Sequence, residues 1–187
     1  MTTARTSEPG FVVWFTGLSA SGKTTVSTLL ANTLEERGML VELLDGDVVR
    51  THLSKGLGFS KEDRDANIER IGWVASRLAR VGAAVIVAAI SPYEGARRTA
   101  RALVEEHASF VEVYMATPLA LCAERDPKGL YKRAFAGELA DFTGVSAPYE
   151  EPTRPDLRIE VQTPAEAAGR VLGRLEELGL TSRRLPD

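Results

Sequence analysis

Residues 17–24, Gly-Leu-Ser-Ala-Ser-Gly-Lys-Thr, fit the spacing G-x-x-x-x-G-K-[ST] and constrain the fold more than any other stretch. They follow 11–16, Phe-Val-Val-Trp-Phe-Thr, a continuous apolar run that predicts a strand buried on both faces. Val26 to Arg37 behind them reads as a helix closed by Gly38. In this strand–loop–helix setting the glycines let the backbone curl until its N–H groups converge on an anion. The helix N-terminus adds partial positive charge. Lys23 is expected to reach the β- and γ-phosphates of ATP, and Thr24 to ligate Mg²⁺ through its hydroxyl. The competing account is a fortuitous glycine-rich turn.

The rest of the chain repeats the alternation. Leu40–Leu44, Ala83–Ala89, Phe110–Met115 and Leu157–Val161 read as short buried strands. Helices are expected from Ser60, a plausible N-cap, to about Arg80, over Glu94–His107, and from Pro164 to Leu178. Such alternation implies an α/β fold, a parallel five-stranded sheet of the P-loop NTPase type with helices on both faces. The loops after 16, 44, 89 and 115 should then meet at one cleft, at the carboxyl ends of the strands. Residues 126–156 lack a sustained period and are rich in proline, glycine and charge, so they read as a mobile lid with at most short helices. No internal linker breaks the chain, so 1–187 reads as one domain with a core over 11–178, and 1–10 and 181–187 as flexible ends. The net charge of −3 provides no global field for nucleic acid. The longest apolar run, Ala83–Ile90, is too short for a membrane span. The polar start does not read as a signal peptide, and the single cysteine, Cys122, forms no internal disulfide, so the cytoplasm is the expected compartment.

Three features carry the chemistry. Asp45-Gly46-Asp47 ends the second strand on the cleft side, where a phosphoryl acceptor needs a carboxylate to orient or take its hydroxyl proton and help hold the metal. Asp47 is the candidate, and an Asp-Gly turn is the bland alternative. Second, the apolar stripe Ile68, Ile71, Ala75, Leu78 extends backwards through Arg64, with Asn67 beside it. An inward arginine is costly unless paired, and an anionic ligand would pair it; a salt bridge to Asp63 or Asp65 would do the same. Arg50 joins the same anion site or is a solvated surface group. Third, Phe59 and Phe142 lie in loops, where they stack on a flat ring or simply pack locally. Asp126-Pro127-Lys128-Gly129 also spells D-x-x-G, but it lies far past the phosphate loop and no N-K-x-D follows, so the match reads as accidental.

Taken together, Gly17 to Thr25, Asp45-Gly46-Asp47 with Arg50, the run Leu57 to Arg64 continuing to Asn67-Ile68, Ile90-Ser91-Pro92-Tyr93, Arg125 to Lys132, Phe142-Thr143-Gly144 and Pro148 to Pro152 resemble the adenylylsulfate kinase family from Phe11 to about Leu178. The resemblance implies transfer of the ATP γ-phosphoryl group to the 3′-hydroxyl of adenosine 5′-phosphosulfate, with Mg²⁺, in a homodimer linked functionally to a sulfate adenylyltransferase. It implies that Phe59 and Phe142 sandwich the acceptor's adenine and that Arg50, Arg64 and Asn67 hold its phosphosulfate and ribose side. Asp45, Ile90, Ser91, Gly129 and Leu130 complete the acceptor site. Lys128 stands near the transferring phosphate and Arg125 on the nucleotide side. Ser91 matches the family serine regarded as phosphorylated on the reaction path, although direct in-line transfer is physically preferred. Two departures stand out. Ala20 replaces the usual glycine, tolerable if its φ is negative. Arg133 and Phe135 replace residues more often lysine and arginine. The rivals are a related kinase of a sugar acid, shikimate or a nucleoside monophosphate, and a nucleotide-binding regulatory module without turnover.

Overall fold

A computed structural model describes residues 8–181. The expectations for the chain ends at 1–7 and 182–187 lie outside those residues. Strands β1 (Phe11–Thr16), β2 (Val41–Asp45), β3 (Ala84–Ala88), β4 (Ser109–Met115) and β5 (Leu157–Ile159) form one parallel sheet in the order β2-β3-β1-β4-β5. The expected architecture is therefore what forms. β1 lies at the centre, in register with Ala84 on one side and Ser109 on the other at Phe11. Its all-apolar run is explained by a covering layer on each face: Phe11, Val13 and Phe15 belong to one core, Val12 and Trp14 to the other.

Helices α1 (Lys23–Glu36) and α7 (Pro164–Glu177) cover the first face; α3 (Lys61–Arg80) and α4 (Glu94–Glu105) cover the second. α7 opens with a reciprocal capping box between Thr163 and Glu166, with Pro164 in its first turn. Ser60 caps α3 by accepting from the N–H of Asp63. The cleft ends of the sheet carry three short helices that periodicity did not resolve: α2 (Gly46–His52), α5 (Leu119–Arg125) and α6 (Leu130–Phe135). α2 stands where an Asp-Gly turn was the bland alternative, because the Asp45 carboxylate accepts from the N–H of Asp47 and so caps a helix. α6 is the short helix expected within 126–156. Its start is held by the Asp126 carboxylate, which accepts from the N–H groups of Tyr131 and Lys132 at 3.0 Å each. Among the described residues no helix is long and apolar enough to cross a membrane.

Candidate active site

The carboxyl ends of the strands do meet at one cavity, of about 930 Å³. Residues 19–26, 45–47 and 88–92, together with Met115 and Thr117, line its floor. Gly17 leaves β1 at a φ of 145°, and a Cβ there would stand 2.7 Å from the carbonyl oxygen of Met115, so a glycine is required by both conformation and space. The loop closes at Gly22, with φ 99°, and α1 begins directly at Lys23, three residues earlier than the apolar periodicity indicated.

The loop contains a conformation that the sequence reading did not anticipate. Ala20 has a φ of 58°, so the condition set for its methyl group is not met. It occupies the left-handed region, which costs a non-glycine residue ~1 kcal/mol. The Lys23 ammonium bonds the carbonyl oxygens of Gly17 at 2.9 Å and Leu18 at 2.6 Å and the Ser21 hydroxyl at 3.3 Å. Burial lowers its pKa from 10.5 to about 8, against the opposing pull of Asp45 and Asp47.

Thr24 donates its hydroxyl to Oδ2 of Asp45 at 2.8 Å. Asp47, on the first turn of α2, instead forms an ion pair with Lys128 from the segment before α6. The structure thus separates the two aspartates: Asp45 stands with the metal-type hydroxyl, and Asp47 with a cation that enters from across the cavity. Thr25, next on α1, is exposed and also lines the cavity. Arg125, in the last turn of α5, reaches the carbonyl of Ala20 at 3.4 Å.

On the opposite wall, Arg64 and Asn67 are each 7% exposed, as the stripe on α3 requires. Arg64 donates to the carbonyl oxygens of Phe59, at 2.8 Å, and of Asp141. It pairs with neither Asp63 nor Asp65, and no carboxylate lies within ion-pair distance of it among the described residues. Desolvation lowers its pKa, and the nearby Arg50 charge adds to that. Arg50 donates to the carbonyl of Gly58 at 3.0 Å and lies 4.4 Å from the Phe59 ring centre, so it is not a free surface group. Phe59 is 56% exposed at the cavity rim, and Phe142 stands edge-on to Tyr131 at 5.1 Å. Both rings line the cavity. Oδ1 of Asn67 and Oγ1 of Thr143 are buried there with no hydrogen-bond partner among the described residues, which leaves both able to bond a water or a ligand in the cavity.

Ser91 is 1% exposed. Its Oγ accepts from the Trp14 indole at 3.1 Å and donates to the Ala89 carbonyl at 3.3 Å. Its neighbour Ile90 accepts from Thr16 Oγ1 at 2.7 Å, which ties this loop to the end of β1. Gly129, at φ 66°, opens α6, and Leu130 begins it on the cavity side.

These features match known proteins over nearly the whole chain. The family profile described as Adenylylsulphate kinase matches residues 9–160. The chain belongs to the adenylylsulphate kinase family. It is 49% identical over 178 residues to the adenylyl-sulfate kinase of Rippkaea orientalis, covering 94% of this chain and 97% of that one. It is 52% identical to a probable bifunctional SAT/APS kinase 2 of Sorangium cellulosum, covering 94% of this chain but only 30% of that longer protein. The structure of the Mycobacterium tuberculosis APS kinase CysC in complex with AMPPNP and APS superposes with a TM-score of 0.89 at 45% identity, over 91% of this chain and 99% of that chain.

Some cavity residues of this adenylylsulphate kinase family member escaped the sequence reading. Glu160, Val161 and Gln162 in the loop after β5, and Pro164 at the start of α7, line the cavity. The rule that ligands sit at the carboxyl ends of strands would have found them, but the expected strand was drawn through Val161, whereas β5 ends at Ile159. Thr143, also on the cavity wall, carried no periodic signal of its own.

Proposed function

We propose that the chain transfers the γ-phosphoryl group of ATP to the 3′-hydroxyl of adenosine 5′-phosphosulfate, giving 3′-phosphoadenosine 5′-phosphosulfate. The observation that carries the acceptor assignment is Arg64: a buried guanidinium that meets two carbonyl oxygens but, among the described residues, no carboxylate, set between an aromatic rim and the phosphate loop in one cavity. Removing such a charge from water is unfavourable unless an anion meets it, and a phosphosulfate is that anion. Phe59 and Phe142 then take the adenine, and Arg50 and Asn67 the remaining polar edge. A sugar-acid or shikimate acceptor offers no flat aromatic ring for these side chains to stack on.

Residues 17–25 hold the nucleotide phosphates through backbone N–H groups and Lys23, with Arg125 beside Ala20. The donor set fits Mg²⁺, since Thr24 and Asp45 offer a hydroxyl and a carboxylate, the hard oxygen donors that ion takes. Thr24 with Asp45, and secondarily Asp47, would hold it, and when bound it would supply positive charge to offset that of the phosphates. Asp47 orients or accepts the proton of the 3′-hydroxyl, and Lys128, paired with it, brings a cation to the same point. Gly129 and Leu130 contribute to the acceptor side, as does Ile90. Ser91, with both hydroxyl contacts internal, positions the loop rather than carrying a phosphoryl group. The chain acts as one kinase unit, with 126–156 as its lid. A homodimer, the cytoplasm as compartment and a functional link to a sulfate adenylyltransferase complete the proposal; the fused Sorangium relative supports the link.

A coupled ADP-release assay across candidate acceptors is the test. Adenosine 5′-phosphosulfate should support turnover, and shikimate, gluconate and AMP should not. Asp47→Asn should lower kcat by at least ~10²-fold, the scale of lost acid–base catalysis. Near-normal turnover of that variant would refute the role of Asp47.

A further inference from the structure

Tyr131 touches the phosphate-loop side and the Phe142 side of the cavity from behind. It is 1% exposed, yet it does not line the cavity. Its phenol donates to the carbonyl of Ser19 in the phosphate loop at 3.1 Å. Its ring meets the Phe142 ring edge-to-face at 5.1 Å and 81°. Its backbone is fixed by the Asp126 carboxylate at the start of α6. Burial raises the phenol pKa, so the hydroxyl remains a donor across any working pH.

The Ser19 carbonyl shares its peptide plane with the N–H of Ala20, and no peptide bond among the described residues is cis. In a trans peptide these two groups point in opposite directions. A carbonyl drawn outward to Tyr131 therefore turns the Ala20 N–H inward, to the side where Ser19 and Ala20 line the cavity. An anion on that N–H polarises the peptide and strengthens the bond its carbonyl accepts. The same phenol is rigidly joined to the ring that supports Phe142.

We propose that Tyr131 is a positioning residue that couples the nucleotide site to the acceptor site: phosphate on the Ala20 N–H tightens the Tyr131–Ser19 bond and so fixes the Phe142 wall against which the acceptor stacks. The proposal rests on the functional reading above and adds to it a thermodynamic link between two ligands. By reciprocity each ligand then raises the affinity of the other by one common factor.

Tyr131→Phe tests this, because it keeps the ring against Phe142 and removes the hydroxyl with its bond to Ser19 and its contact with the Cys122 thiol. Cys122→Ala, which removes the latter contact and keeps the former, should leave the coupling unchanged. Calorimetric Kd values for adenosine 5′-phosphosulfate are measured with and without a non-hydrolysable ATP analogue and Mg²⁺. In the unaltered protein the analogue should tighten acceptor binding by about tenfold or more, within the usual range of coupling. In Tyr131→Phe that factor should fall to about twofold or less, with acceptor Kd in the absence of nucleotide unchanged and Tm lower by only ~2–4 °C, the scale of one lost hydrogen bond. Steady-state acceptor KM at saturating ATP should rise accordingly, with kcat kept within ~3-fold. The proposal is overturned if Tyr131→Phe retains the full factor, if Cys122→Ala loses it as well, if the unaltered protein has none, or if both Kd values weaken together with a larger fall in Tm, which is the outcome of a purely structural role. Failure of the unaltered protein to bind adenosine 5′-phosphosulfate under either condition sinks the functional reading itself, and this proposal with it.

Discussion

Ala20 holds a φ of 58° inside the loop that cradles phosphate, a conformation in which a methyl group is crowded by its own backbone. The energy is spent locally to aim successive N–H groups into one concavity. Glycine at this position relieves the strain but loosens the unfolded chain, which offsets part of the gain. Ala20→Gly should therefore stabilise the protein by up to ~0.5 kcal/mol, seen as a Tm higher by roughly 1–2 °C. A lower Tm would mean that the loop carries no such strain. Arg64 shows the opposite relation between residue and surroundings: its helix spacing fixed where it points, and only the packed protein revealed that neither neighbouring aspartate pairs with it.

At the scale of elements, α3 and α4 cross at Gly72. A Cβ on Gly72 would stand 2.9 Å from both Cα and Cβ of Ala100, so the two backbones approach as closely as a bare glycine allows. Gly72→Val forces them apart. The loss should be ~1–3 kcal/mol, the scale of overpacking in a well-filled core, read as a lower urea midpoint with an unchanged m-value. A midpoint equal to that of the unaltered protein would show that the helices are free to slide. The long elements were legible because their apolar residues recur at 3.6 or run unbroken across a two-faced strand. α2, α5 and α6, each seven residues or fewer, were not, because one or two turns contain too few positions to show a period.

At the scale of the whole molecule, buried charge makes stability depend on pH. Lys23 has a folded pKa of about 8 against an ordinary 10.5. Between those values the unfolded chain binds more protons than the folded one, so stability rises with pH. The full cost of the buried ammonium is present below pH 8 and is gone above 10.5. Urea midpoints of the ligand-free protein should accordingly show an upward contribution from about pH 8 to pH 10 that Lys23→Met lacks. Identical profiles for the two proteins would remove Lys23 as its source. Nucleotide affinity should run the other way, weakening above pH 8 as the ammonium loses its proton. Elsewhere charge is met within the fold: Arg97, 3% exposed, pairs with Glu112 at 3.0 Å and donates to the carbonyls of Ser91 and Glu150, joining α4, β4 and two cavity loops.

The sequence alone determined the strand–loop–helix phosphate cradle, the parallel sheet and the inward face of α3, because these depend on local spacing, and spacing is written directly in the chain. Only the tertiary structure decided that Asp45 rather than Asp47 meets Thr24, that Lys128 crosses to Asp47, that the loop after β5 joins the cavity, and that Tyr131 bridges the Ser19 carbonyl and the Phe142 ring. Those contacts join residues far apart in the sequence, and their geometry is set by how the sheet, its covering helices and the 126–156 segment pack, which no single stretch of sequence encodes.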